Sequence, residues 1–142
     1  MSQSNTRVGD FASVAGADLT GMRDRLVVLG TNAGVAQVNV PAANGDPALY
    51  LLIEEAAQGG RVDVRPLDGS RNVRVVLKGA CNPGDLLVLA DVGTAADKGK
   101  LRALPATAGT YRVLGIAEAA GVDGGLVLFR PALLGLVTVV GA

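Results

Sequence analysis

Two stretches of this chain carry the same ordered series of residues, and that repetition limits its fold more than any other feature. Leu26-Val27-Val28-Leu29 is echoed by Leu86-Leu87-Val88-Leu89, and Val40-Pro41 by Leu104-Pro105. Ile53-Glu54-Glu55-Ala56-Ala57 returns as Ile116-Ala117-Glu118-Ala119-Ala120. Gly59-Gly60 with Arg65-Pro66 returns as Gly124-Gly125 with Arg130-Pro131, and Val75, Leu77, Gly79 and Ala80 match Val137, Val139, Gly141 and Ala142. The displacement drifts only from about 60 to about 65 residues, which small loop insertions explain. A tandem duplication of one β-rich unit follows, with unit one over 25–80, unit two over 85–142 and an N-terminal arm over 1–24. Two units are too few for a solenoid, whose stacked repeats stabilise one another only in longer arrays. Duplicated β units build scaffolds and binding surfaces.

From Arg25 onward, short runs of aliphatic and β-branched residues alternate with turn chemistry. Val35–Val40 alternates with a period of two, as a strand with one wet face does. Ala48–Ile53 is a continuous apolar run, expected to be a strand buried on both faces. Arg25–Leu29, Arg61–Arg65 and Asn72–Lys78 complete unit one. Leu86–Ala90, Leu101–Leu104, Tyr111–Ile116, Leu126–Arg130 and Leu136–Val140 form unit two. Asn44-Gly45-Asp46-Pro47 and Asn82-Pro83-Gly84-Asp85 are strong turns. The expected fold is all-β, a β-barrel or β-sandwich built from two similar tandem units with an extended N-terminal arm. Within Met1–Gly21 a short helix around Phe11–Ala17 is the alternative to an extended arm. That arm is either a frayed terminus or a segment that orders on a partner, with Phe11 as its anchor.

Composition narrows the function. Lysine plus arginine number 13 and aspartate plus glutamate 13, so the formal net charge is zero. Nucleic acid is therefore not an expected partner, since its binding needs clustered cations. Arg71, Arg74 and Lys78 read as the solvent face of a strand. The longest apolar stretch, Ala132–Ala142, falls short of the about 18 residues a membrane helix needs, so no membrane is expected. Cys81 is the single cysteine, so no intrachain disulfide forms. The first residues lack the charged, apolar and small-residue succession of a signal peptide, which points to a soluble protein made in the cytoplasm and kept reduced. Hydrophobic residues make up 49% of the chain and aromatics 3%, so the core is valine, leucine and alanine. Zero net charge on an apolar chain favours self-association.

Catalytic equipment is sparse. With no histidine in the chain, Ser–His–Asp and Cys–His arrangements are impossible. Cys81 has only Lys78 nearby as an activating cation and reads as a small packed residue. Glu54 and Glu55 are neighbours that point to opposite faces of a strand, and Glu118 is the counterpart of Glu55. The aspartates sit in turns, and neither a calcium loop nor a phosphate-binding glycine loop is present. No enzyme activity, cofactor or metal is expected.

The series Asn82-Pro83-Gly84-Asp85-Leu86-Leu87-Val88-Leu89, then Lys98-Gly99-Lys100-Leu101, then Tyr111–Ala120, closing with Gly124-Gly125-Leu126-Val127-Leu128, resembles the small capsid decoration (cement) proteins of tailed bacteriophages. The likeness is clearest over Asn82–Arg130 and weaker over Arg25–Pro66. It implies a structural virion protein that binds the outer surface of an icosahedral head and clamps neighbouring major capsid protein subunits. Such proteins commonly sit as homotrimers at threefold positions, less often as dimers at twofolds. Val8, Phe11 and Val14 are then the capsid-contact candidates, and deletion of residues 1–21 is expected to leave a folded protein that no longer binds. Leu133, Leu134 and Leu136 are the oligomer-interface candidates, although an ordinary core strand matching Val73–Leu77 is the favoured reading of that run. A phage tail, baseplate or head-fibre component is the alternative. A carbohydrate-binding module is disfavoured because Phe11, Tyr50, Tyr111 and Phe129 are the only aromatics.

Overall fold

Residues 9–141 are described by a computed structural model. Ten strands form two antiparallel five-stranded sheets. The first holds β1 (Phe11–Val14), β2 (Leu26–Asn32), β3 (Val35–Asn39), β4 (Tyr50–Glu54) and β5 (Arg61–Pro66). The second holds β6 (Val73–Val76), β7 (Leu86–Leu89), β8 (Leu101–Ala103), β9 (Gly109–Ala117) and β10 (Leu126–Val139). Their spatial orders are β1-β5-β4-β2-β3 and β6-β10-β9-β7-β8. Adding five to each strand number of the first sheet reproduces the second.

Each sheet curls until its edge strands meet. Ala15 bridges Val38 in parallel, and Leu77 bridges Leu101 in the same sense. The Gly16 N–H donates to the Val38 carbonyl at 2.8 Å, and the Lys78 N–H to the Leu101 carbonyl at 2.7 Å. The result is a pair of small barrels side by side. Closure protects edge strands that would otherwise template aggregation.

The pleat explains how an aliphatic sequence fills both barrels. Val27, Val38, Leu52, Val62, Val64, Ala15 and Leu19 form the first core. Their strand neighbours Leu26 and Leu51 point the opposite way and join the second cluster, which contains Leu77, Leu87, Leu101, Leu114 and Phe129. Leu26 and Leu51 are register partners, so they meet as one apolar strip between the barrels. The two-faced burial expected of Ala48–Ile53 is present: Leu51 is 3% exposed and Leu52 0%.

Polar contacts lock the same junction. The β7–β8 connection, with a short 3₁₀ turn at Ala95–Asp97, folds back onto the start of β2. Leu26 N–H donates to the Gly99 carbonyl at 2.8 Å, and Arg25 Nη1 donates to the carbonyls of Ala96 (2.8 Å) and Lys98 (3.1 Å). Asp97, 7% exposed, accepts from Lys100 Nζ at 2.9 Å and faces Lys78 Nζ at 3.7 Å. The Lys100 ammonium holds the Asp97 carboxyl below the usual carboxylate range, against the opposing effect of burial. Elsewhere along the junction, Val76 N–H donates to the Asp24 carbonyl, Val92 N–H to Asn44 Oδ1, and Arg112 Nε to the Gly45 carbonyl at 2.7 Å.

Four expectations are revised. Residues 10–24 are no free arm, and Phe11–Ala17 is no helix: Phe11–Val14 is β1, registered on Arg61–Val64, and Leu19 is fully buried. The strand at Val73–Val76 belongs to the second sheet, on the Leu126–Phe129 part of β10. Strand order thus divides the chain after β5, not at residue 80. Leu126–Arg130 and Leu136–Val140 are not separate strands; β10 runs through both, with a register shift between Pro131 and Gly135. Finally, the match of Ile53 with Ile116 is displaced by two: Leu51 and Leu52 face Arg65 and Val64 as Ile116 and Ala117 face Arg130 and Phe129.

Gly99 is the critical residue of the junction. Its φ is +82°, and an added Cβ would lie 2.6 Å from the Leu26 carbonyl oxygen. Gly99→Ala is expected to cost about 2–3 kcal/mol through strain and a displaced loop. Denaturant midpoints for the two proteins measure the loss; an unchanged midpoint would show that the loop does not hold the barrels together.

Candidate functional site: an exposed apolar ribbon

The second half of β10 leaves its barrel. β6 pairs with β10 only from Leu126 to Phe129, whereas β9 continues beside it through Gly135↔Val113, Leu136↔Arg112, Val137↔Tyr111, Thr138↔Thr110 and Val139↔Gly109. Residues 132–139 therefore belong to a two-stranded ribbon whose far edge, among the described residues, has no strand beside it. Period-two alternation persists: Leu134, Leu136, Thr138 and Val140 are exposed, while Gly135, Val137 and Val139 are half-buried. Leu133 and Leu134 are each 57% exposed, Leu136 59% and Val140 85%.

This arrangement corrects the reading of the run as an ordinary core strand. Beyond the bulge there is no barrel interior for these leucines to enter. The strand from Ala132 to Gly141 carries no charge and no proline, the devices that normally protect a free edge. Contiguous exposed apolar surface of this kind marks an interaction site. The ribbon is anchored at its base by the Arg112–Gly45 bond and by Tyr111, whose hydroxyl donates to the Thr107 carbonyl at 3.0 Å. Leu133, Leu134 and Leu136 are thus brought together on one element.

The N-terminal candidates are arranged differently. Val8 lies outside the described residues. Phe11 is half-buried and meets Tyr50 edge-on, ring centroids 5.7 Å apart. It anchors β1 to its own sheet. Val14, 37% exposed, lies on the surface of that strand beside exposed Ala12. Asp10 holds the start of β1 through two bonds from Arg65, Nε to Oδ1 at 2.8 Å and Nη2 to Oδ2 at 3.0 Å. The Arg65 guanidinium depresses the Asp10 pKa. These residues lie in the first sheet and the leucines in the second, so the candidates form two surfaces.

The remaining reactive groups are engaged in structure. Glu118 accepts from Asn72 Nδ2 at 3.0 Å and pairs with Arg130 at 3.2 Å, contacts that lower its pKa. Glu55 instead accepts the Arg23 N–H. Cys81 is buried, and desolvation pushes its thiol pKa up. Two concavities escape sequence reasoning. One, of about 480 Å³, lies between the barrels beside Asp24, Arg65, Asn72 and Arg74. The other, of about 270 Å³, is lined by Gly84, Asp85, Leu86, Ala103 and Leu104. The Asn82–Asp85 turn is the only sequence signal of the second, and it reads equally well as a plain turn; the first has none.

Among solved structures, the chain is similar to the N base of the head fibre protein gp8.5 of bacteriophage phi29. The TM-score is 0.66 at 20% sequence identity, covering 90% of this chain and 97% of that one. No family model and no curated protein sequence matches the chain. The shared feature is the fold.

The Asp10–Arg65 pair makes a testable contribution. Because its folded pKa is depressed, Asp10 adds stability above the ordinary carboxylate range that is lost as pH falls through the lowered value. The pair is partly exposed, so Asp10→Asn should cost only about 0.5–1 kcal/mol at pH 7. Denaturation at pH 7 and pH 3 should show the two proteins converging in acid; a constant gap would remove the ion pair as its cause.

Proposed function

We propose that this chain is a structural protein of a bacteriophage head, seated on the outer capsid surface. The observation that carries this reading is the fold shared with the phi29 head-fibre base over 90% of the chain. The cement-protein motif series at Asn82–Arg130 supports it independently. In this reading the protein contacts the major capsid protein, bridges neighbouring subunits and self-associates, with a homotrimer as the expected form and a dimer as the alternative. A multivalent clip needs only modest contacts, because each bound contact raises the effective concentration of the next. The fold comparison specifically favours a related role, the base of a fibre projecting from the head. Catalysis and cofactors have no part in either role.

The barrels supply a stiff body, and the exposed ribbon supplies the surface for another copy. Substituting exposed leucines leaves the core alone, so Leu134→Lys with Leu136→Lys should change folding stability by less than about 0.5 kcal/mol per site. Light scattering should find the wild-type protein oligomeric and this variant of lower mass. Wild-type protein mixed with expanded, emptied heads should co-sediment in fixed stoichiometry. A wild-type monomer that ignores heads would overturn the proposal.

The terminal segment requires its own comparison. Removing residues 1–21 would delete β1 and Leu19, costing several kcal/mol through lost core burial. Removing residues 1–8 spares both. The shorter deletion should keep the wild-type melting transition and isolate any capsid contact made by Val8; the longer one should unfold far more easily.

A further inference from the structure

We infer that the β2–β3 hairpin tip of one copy docks into the depression at the start of β7 on a second copy, repeating between chains the contact that joins the barrels within one. This deepens the self-association reading and rests on it.

The template is the internal junction. There, the connection between β7 and β8 lies against Arg25 and Leu26, and Gly99 presents its carbonyl to the Leu26 N–H at 2.8 Å. Corresponding bonds locate the counterparts in the second barrel. Asp24 N–H donates to Leu52 and Leu52 N–H to Arg25; likewise Gly84 N–H donates to Ala117 and Ala117 N–H to Asp85. Arg25 and Leu26 therefore correspond to Asp85 and Leu86. Those two residues line the 270 Å³ depression with Gly84, Ala103 and Leu104.

The depression also carries a half-made backbone pair. In a closely spaced antiparallel pair, two residues exchange both of their bonds. Leu104 N–H donates to the Leu86 carbonyl at 2.8 Å, but among the described residues the Leu86 N–H makes no return bond to Leu104. The place that the Gly99 carbonyl takes at Leu26 in the first barrel is thus not taken by Leu104 at Leu86 in the second.

The matching insert is present in the same chain. By strand order the β2–β3 connection corresponds to the β7–β8 connection. It projects from its barrel: residues 31–36 are all exposed, Val35 at 59%. Gly34 has φ +78°, close to the +82° of Gly99, so it can present a carbonyl at a similar sharp turn. The tip, Gly30-Thr31-Asn32-Ala33-Gly34, is uncharged and rich in donors, which suits the Asp85 carboxylate at the receiving end. Because insert and depression are different surfaces, copies join head to tail, the arrangement that closes into a ring when the rotation permits.

The test uses full-length protein with Asn32→Cys and Ala103→Cys, singly and together; buried Cys81 is left in place. Each single variant should melt as wild type does and remain unlinked under mild oxidation. An equal mixture of the two should yield disulfide-linked dimers, and the double variant larger linked species. No linkage in the mixture, or equal linkage within a single variant alone, would overturn the docking. Wild-type mass by light scattering separates the two ideas: an oligomer without linkage leaves self-association standing and removes this interface. A monomer removes both.

Discussion

Two short strand segments buried on both faces, Leu26–Val27 of β2 and Leu51–Leu52 of β4, hold this protein together. β2 and β4 pair in register, and each sends alternate side chains into its own barrel and into the junction with the other. Val27 and Leu52 face inward, whereas Leu26 and Leu51 face the second barrel, all nearly inaccessible to water. Each buried leucine contributes about 1.5–3 kcal/mol of transfer free energy. Without that strip the barrels would be two small domains, each with too little core to be robust alone. The loop at 95–100 then adds direction, because hydrogen bonds at Arg25 and Leu26 permit only one alignment of the barrels.

Closure of both barrels leaves few places where the chain can meet a partner. Edge strands are matched to each other through the Ala15–Val38 and Leu77–Leu101 bridges. Two exposed elements extend beyond the barrels, the β9–β10 ribbon and the β2–β3 tip. The ribbon is apolar and the tip polar, so they suit different kinds of contact. A stiff core with projecting hairpins fits a protein that works by bridging neighbours.

Legibility in the sequence tracked the strength of the local pattern. The run Ala48–Ile53 announced two-sided burial because no polar residue interrupts it. Strong turns such as Asn44–Pro47 and Asn82–Asp85 bounded strands at nearly the right residues. Phe11–Val14 was illegible because glycines flank it and its stability comes from Arg61–Val64, about fifty residues away in sequence. The outer part of β10 misled for the opposite reason. Leu133, Leu134 and Leu136 look like core, and only the shortness of β6 leaves them in water. The depression beside Leu86 was hidden because it depends on a missing hydrogen bond, which no residue type encodes.

The sequence by itself determined an all-β protein of aliphatic core, rich in turns and without histidine chemistry. Those properties follow from residue type and spacing, which act locally. Tertiary structure decided that the strands close into two barrels of identical order, that β1 and β6 occupy equivalent places, and which leucines face water. Such outcomes depend on which strands become neighbours. The pairing of distant strands is set by the collective burial of the whole chain, and no single segment carries that information.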